Sequence, residues 1–488
     1  MKRQYLIAIL ALLLPALVRG LWFYHGLPST RPEISTPDYA SFTRPQVAVS
    51  TPDLENVQEL GGTVLIDGYH GNQFMLNEID SFTNAIRLRG GTVETVTDST
   101  ALELQLKSAS AFVTISPSVT FSPYEALLLR KFADRGGRIL VFADATRISL
   151  YYDYISGNPI AYGDANAANS LLKQFDISIN SDYLYNTRKN EGNFRNVLFD
   201  KFGKSELTFG LSEVALYGTR SVESTSGLVL LQGTSSTLSS SDDAHNPNAG
   251  GAVLSADGNV AAFGDFTFLS TPYNTYTDNA ALIQNLADFA LSSERTPSLT
   301  LFPYLFTQQT VQVYLAPDIE KTPEVVTALG SLQSAMSLLN LKVEFVDKLP
   351  SSGDTIIIGL FDSTDDFDVF LKRADVEIND QKIDTVIFGE VVKSGNGLVL
   401  FDAGKKGNTL VLLANTTEDA ISLLGVMGYG TLDSCLMSDN VAVCSVGYSD
   451  YSSDTYSEDT YSDTSGTGDT TSTETVEPTP EAQPTPSG

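Results

Sequence analysis

Cysteine, histidine and tryptophan are scarce in this chain of 488 residues, which holds two, three and one of them. Two cysteines cannot build a disulfide-dense scaffold or a four-thiolate metal centre. Three histidines, His25, His70 and His245, leave few general bases. No Gly-x-Ser-x-Gly elbow occurs, which removes the serine-hydrolase pattern that goes with that turn. Basic residues are the next shortage: 30 Lys and Arg stand against 59 Asp and Glu, a formal charge of −29. So acidic a chain repels phosphate backbones, and nucleic acid is excluded as a partner. Part of the excess is local, with nine acidic and no basic residues from Tyr448 onward.

What is present starts with Met1-Lys2-Arg3 and an apolar run from Tyr5 to Val18, the pattern of a secretory signal. Val18 and Gly20 are small enough for a cleavage site. Leu21-Trp22-Phe23-Tyr24 instead extends the run toward the length of an uncleaved anchor. Either way Lys2 and Arg3 keep the N-terminus inside and put the body on the extracytoplasmic side of the membrane. A buried terminal helix is the bland alternative. In an oxidising compartment Cys435 and Cys444 read as a disulfide closing a small hairpin, with two free core thiols as the alternative.

The length calls for more than one core. The expected organisation is a signal peptide or anchor over 1–26, a Pro/Ser/Thr-bearing spacer over 27–60, an α/β domain over 61–292 and a linker over 293–300. A second, smaller α/β domain covers 301–447, and a disordered acidic Ser/Thr/Pro-rich tail covers 448–488. In the first domain, buried-type strands at 63–67, 92–97, 111–115 and 138–143 alternate with helical periodicity over Phe74–Leu88 and from Ser122 to Arg135. Ser122-Pro123-x-Glu125 is a helix start, with Ser as N-cap, Pro at N1 and Glu at N3. Such alternation predicts a doubly wound parallel sheet with both faces covered. Residues 150–255 are less regular and richer in β-type runs, and a strand at 258–263 and a helix from about Asp278 to Leu291 restore the order.

Val64-Leu-Ile-Asp67-Gly-Tyr-His70-Gly-Asn72-Gln-Phe74 resembles the opening of the DUF4350 family, related to the type 1 glutamine-amidotransferase-like fold. Ser116-Pro-x-x-x-Phe-Ser122-Pro-x-Glu125, Phe132-Ala-Asp-Arg-Gly136-Gly137-Arg138-Ile-Leu-Val141 and Gly264-Asp265-Phe-x-Phe-Leu carry the same resemblance. So do Asp278-Asn279-Ala280 and Asn285-Leu-x-x-Phe289, and together these motifs span roughly residues 60–292. The resemblance implies an amidotransferase-like or flavodoxin-like sheet, and similar domains occur in auxiliary proteins linked to ABC transport and gliding. Active amidotransferases of this fold place a cysteine on a strand-to-helix elbow. The equivalent turn here, Ser116-Pro117-Ser118, has none, so the resemblance implies no amidotransferase chemistry.

Ligands of doubly wound sheets bind at the carboxyl ends of the strands. The residues expected there are Asp67, His70 and Asn72 after the first strand, Ser116 after the third, Asp144 and Arg147 after the fourth, and Asp265 after the last. Asn279 joins them at the start of the final helix. Three readings are open. Asp67, His70, Asp144 and Asp265 would hold a metal for hydrolysis; the same residues would line a non-catalytic ligand pocket; or they would cap helices and turns, with Asn72 and Asp278 or Asn279 as N-caps. Tyr151, Tyr152, Tyr154, Tyr183 and Tyr185 read as packing before they read as a sugar groove. The acidic run Asp362, Asp365, Asp366 and Asp368 lacks the glycine and terminal glutamate of a calcium loop, and Asn415-Thr416-Thr417 is a glycosylation sequon. Together these point to an exported, membrane-anchored binding or scaffold protein without cofactor. Its partners would be envelope or transporter proteins, and a metal-dependent hydrolase is the alternative.

Overall fold

The computed structural model describes residues 2–24, 49, 57–152, 157, 159–362, 367–429, 432 and 434–447. The tail over 448–488, most of the 27–60 spacer, His25, Tyr154, Asp365 and Asp366 lie outside the described residues. Helix α1 (Lys2–Tyr24) buries none of its side chains and is long and apolar enough to cross a membrane.

The body is built on two sheets. In the larger, β1 (Thr63–Asp67), β2 (Thr92–Val96), β3 (Ala111–Ile115) and β4 (Arg138–Phe142) lie parallel in the order β2-β1-β3-β4, and strand Val260–Phe263 continues the parallel run beside β4. Successive side chains of a strand alternate between faces, and the core divides accordingly. Val64, Ile66, Val113, Leu140 and Phe142 pack with α2 (Asp80–Leu88) and α6 (Asn279–Leu291) on one face. Leu65, Phe112, Ile139 and Val141 pack with α3 (Ser99–Leu106), α4 (Pro123–Asp134) and α5 (Asp164–Leu172) on the other. The sheet is mixed rather than wholly parallel. Strands Ala249–Leu254, Leu228–Gln232 and Lys201–Phe202 extend it antiparallel beyond Val260–Phe263. They come from within residues 150–255, the stretch that is less regular and richer in β-type runs. Antiparallel neighbours need no crossover helix, so these strands can join the sheet without the strand–helix alternation of its parallel part.

Two helix starts differ in how well local pattern predicted them. At α4 the capping box forms as expected: Ser122 Oγ accepts from the Glu125 amide at 3.2 Å, and Glu125 Oε2 accepts from the Ser122 amide at 2.7 Å. The first helix starts at Asp80 instead of near Phe74, because a short 3-10 turn at Leu76–Glu78 intervenes. Asn72 therefore caps nothing.

The second sheet orders strands Lys342–Val346, Thr310–Leu315, Asp354–Leu360, Gly407–Ala414, Asn396–Gly404, Val441–Ser445 and Cys435–Met437. The first four run parallel, and α7 (Pro323–Leu338) and α8 (Thr417–Gly428) cover one face. Strands Lys382–Thr385 and Gly389–Val392 pair antiparallel in a separate three-stranded sheet. Cys435 and Cys444 are register partners across the last strand pair, with sulfurs joined at 2.08 Å.

Ser122→Ala removes one acceptor from the α4 cap. It should lower the unfolding free energy by about 1 kcal/mol, read from urea denaturation followed by circular dichroism.

Candidate functional site

The strand ends form two hydrogen-bonded groups rather than one. The first is centred on Asp67, wholly buried at the end of β1. Its Oδ1 accepts from the Tyr69 amide at 3.2 Å, and both its oxygens lie 3.0 Å from His70 Nδ1. Since an ionised carboxylate only accepts, Nδ1 carries the proton of that contact. Thr114 Oγ1, on the neighbouring strand β3, reaches Asp67 Oδ2 at 2.8 Å and Asn72 Oδ1 at 3.0 Å, and the Ile115 amide donates to Asn72 Oδ1 at 2.9 Å. The His70 ring stacks on Phe121, centroids 3.8 Å apart, and its Nε2 lies 3.6 Å from Glu125 Oε2. Tyr69 donates to Glu125 Oε1 at 2.9 Å. Burial pushes the Asp67 carboxyl up, but the hydrogen bond and electrostatic pull of His70, with bonds from Asn72 and Thr114, outweigh it and hold the group below its ordinary range. Glu125 is likewise depressed: burial raises it, and its bonds to Ser122 and Tyr69 and the pull of His70 prevail.

The second group holds Asp144, Asp164 and Asp265, all without exposed surface. Ser116, at the end of β3, has a left-handed backbone (φ 46°) and donates its hydroxyl to Asp164 Oδ2 at 2.8 Å. Asp164 also accepts from the Asp144 amide at 2.5 Å and pairs with Arg220 Nε at 2.7 Å. Asp144 accepts from Thr146 Oγ1 at 2.6 Å and Thr267 Oγ1 at 2.9 Å, and Asp265 from the amides of Thr267 at 2.8 Å and Tyr217 at 2.9 Å. Gly264 is required here, because a Cβ at that position would lie 2.0 Å from the Arg220 carbonyl oxygen. Burial raises the Asp144 and Asp164 carboxyls despite these donors. Asp265 stands well above its ordinary value, first from burial and then from the charge of Asp144 beside it.

The remaining predicted residues serve elsewhere. Arg147 pairs with Glu78 and lies over the Phe266 ring, 4.8 Å from its centroid. Asn279 bonds both the amide and the carbonyl of Ala215, at 3.1 and 3.0 Å, so it holds strand Val214–Tyr217 instead of capping α6. Asp278 turns its carboxylate to the amides of Ser212 and Glu213. Of the eight strand-end residues, Asp67 and Asn72 line the cavity of about 480 Å³ beside β1 and β2, together with Phe74, Thr83, Arg87 and Thr95. Sequence reasoning missed Thr114, Glu125, Asp164 and Arg220 as partners. Glu125 had a signal, its N3 place in the capping box, whereas Asp164 and Arg220 had none. Asp67, His70, Asp144 and Asp265 do not converge, and among the described residues no three His, Cys, Asp or Glu side chains are placed to share a metal ion. Both cysteines are tied in the disulfide, which leaves the chain no thiol nucleophile.

Residues 81–287 match the model of DUF4350, a domain of unknown function, which supports assigning this stretch to that family. Among the curated proteins nothing matches. Among solved structures the chain is similar to the mmIFT52 N-terminal domain, at 16% identity and a TM-score of 0.38 over 48% of this chain and 99% of that one. It is also similar to a protein described as ThuA-like from Bacteroides uniformis, at 12% identity and a TM-score of 0.29 over 49% of this chain and 94% of that one. PurLQS from Thermotoga maritima matches at 10% identity and a TM-score of 0.24, over 47% of this chain and 98% of that one. At identities and scores this low, the likenesses say nothing about what the chain does.

A carboxyl whose folded-state value is raised binds a proton that the unfolded chain has already released, so stability falls as pH rises above the ordinary value of 3.8. Asp265→Asn removes the group with the largest such shift. Urea denaturation at a series of pH values above that point should show a flatter decline than the parent, and an unchanged slope would refute the assignment.

Proposed function

We propose that this chain is a non-catalytic binding or scaffold protein, held by α1 with its body on the extracytoplasmic side of a membrane. Residues 61–292 and 301–447 would form its two domains, and an envelope or transporter protein would be its partner. The observation that carries the reading is the state of the strand-end side chains. Asp67, Ser116, Asp144, Asp164 and Asp265 are fully buried and spend their polar atoms on the protein's own amides, hydroxyls and cations. A nucleophile or base must reach its substrate within hydrogen-bond distance, and groups so enclosed serve to fix loops. The parallel order β2-β1-β3-β4, with helices on both faces, supports reading the first domain as doubly wound and amidotransferase-like, without that fold's cysteine. Support for the location comes from the unburied α1, from Lys2 and Arg3 at its start, and from the disulfide.

Two measurements test this. The full chain expressed in cells should stay with the membrane fraction through alkaline extraction and be cut by protease added from outside. A variant lacking residues 2–24 should be released, and a body protected from external protease would sink the topology. Metal analysis of the purified full chain should find no stoichiometric metal that Asp67→Ala/His70→Ala removes. Metal lost in that variant would overturn the non-catalytic reading in favour of a metal-assisted hydrolase.

A further inference from the structure

Strand Lys342–Val346 forms one edge of the second sheet. It pairs in parallel with Thr310–Leu315 along its whole length, and among the described residues nothing pairs with its other side. The opposite edge, Cys435–Met437, leads into the turn that bonds Ser298 and Leu299. The open strand therefore lies on the side of its sheet away from the first domain. Proteins blunt such edges with proline, a bulge or an unmatched charge. This strand has no proline, its register is unbroken, and it exposes Lys342 and Glu344 and leaves Phe345 50% exposed. Neither Lys342 nor Glu344 has an ion-pair partner among the described residues.

Backbone direction limits what can pair there. Lys342 turns its amide inward, donating to the Gln309 carbonyl at 2.7 Å. Successive residues of a strand point their amide and carbonyl to alternate sides. Lys342, Glu344 and Val346 thus face the sheet, while Val343 and Phe345 present theirs to the open side. An antiparallel strand added there must match outward residues with outward ones, which permits only every second register. For two copies of this strand, centring on Lys342 or on Glu344 would set like charges against each other. Centring on Phe345 would leave the charges unmatched. Centring on Val343 sets each Lys342 opposite Glu344 of the second copy, twice by symmetry. The Val343 amide and carbonyl then meet those of the other Val343, and Phe345 meets Leu341 on the face that α7 covers. The open parallel edge of the larger sheet, β2, has no such match, since its one charge, Glu94, has no cation two places away.

We infer that this edge pairs with its own copy, giving a two-fold homodimer in which the two second sheets continue as one through antiparallel pairing about Val343. A second copy is the partner selected because the edge carries one charge of each sign, in the order that its own reverse requires.

The test uses the full chain in a non-ionic detergent. Sedimentation equilibrium over a range of concentrations should show monomer and dimer with a dissociation constant on the order of 10–100 μM, that of a small interface. Lys342→Glu and Glu344→Lys each place like charges opposite one another. Each should weaken self-association at least about tenfold, with an unchanged circular dichroism spectrum. An equimolar mixture of the two single variants should recover parent-like association, because one copy then carries only acids at these positions and the other only bases. Lys342→Glu/Glu344→Lys should recover it as well. A chain monomeric at every concentration would overturn the inference. So would self-association untouched by either single variant, as a contact through α1 would give, or a mixture that fails to recover it.

Discussion

Four aspartates, Asp67, Asp144, Asp164 and Asp265, are wholly enclosed where the strands of the large sheet end, and most of the surrounding architecture follows from satisfying them. A buried carboxylate without donors is strongly unfavourable, so each must gather hydrogen bonds from whatever chain passes by. Asp67 collects the Tyr69 amide, His70 and Thr114, which sets the course of the loop after β1. Asp164, at the start of α5, reaches the Ser116 hydroxyl, the Asp144 amide and Arg220. One side chain thereby ties the ends of β3 and β4 to a segment more than fifty residues away. Asp265 fastens the Tyr217 amide and with it the strand that Asn279 grips from the other end.

The same constraint decides what the strand ends can do. Asp67 and Glu125 sit below their ordinary range because donors outweigh burial, whereas Asp144, Asp164 and Asp265 sit above it because burial outweighs donors. Perturbed carboxyls often mark a catalytic centre. Here the raised ones are fully buried, and the hydroxyls that touch them, those of Ser116, Thr146 and Thr267, are spent on Asp164 and Asp144. Ser116 holds the left-handed backbone that an elbow nucleophile would need, but the hydroxyl is turned inward as a strut. The raised values at this end of the sheet come first from enclosure.

How legible each feature was depended on the range of the interaction behind it. The capping box at Ser122 and Glu125 was readable because it is built from residues three apart. The parallel strands were readable because they are apolar runs between helical periods. Asp67 and His70 were candidates because both follow the first strand, and they bond each other; Thr114 and Glu125, which complete the group, lie 47 and 56 residues from the residues they bond. Asn72 and Asp278 have the side chains of caps, yet each found a better donor in a distant strand or loop. Arg220 and Asp164 meet across 56 residues of irregular sequence, and no periodicity could announce them. The antiparallel extension stayed hidden for a related reason: its strands are short, and strand pairing depends on partners that composition does not specify.

The second sheet meets the first through few groups, and the disulfide stands behind one of them. Cys435 and Cys444 join the two strands that flank the turn carrying Asp439. That turn takes the Leu299 amide on the Asp439 carbonyl at 2.7 Å and Ser298 on its carboxylate, while the Thr296 amide donates to Arg135 at 2.9 Å. A crosslink at the base of a hairpin limits the conformations of its turn before any tertiary contact forms. The chain thus places its one covalent constraint beside the connection between its two sheets, where Arg135 and Arg295 also lie, with Asp439 and Asp134 near Arg135. A rigid turn on one side and a helix end on the other give those guanidinium groups fixed positions.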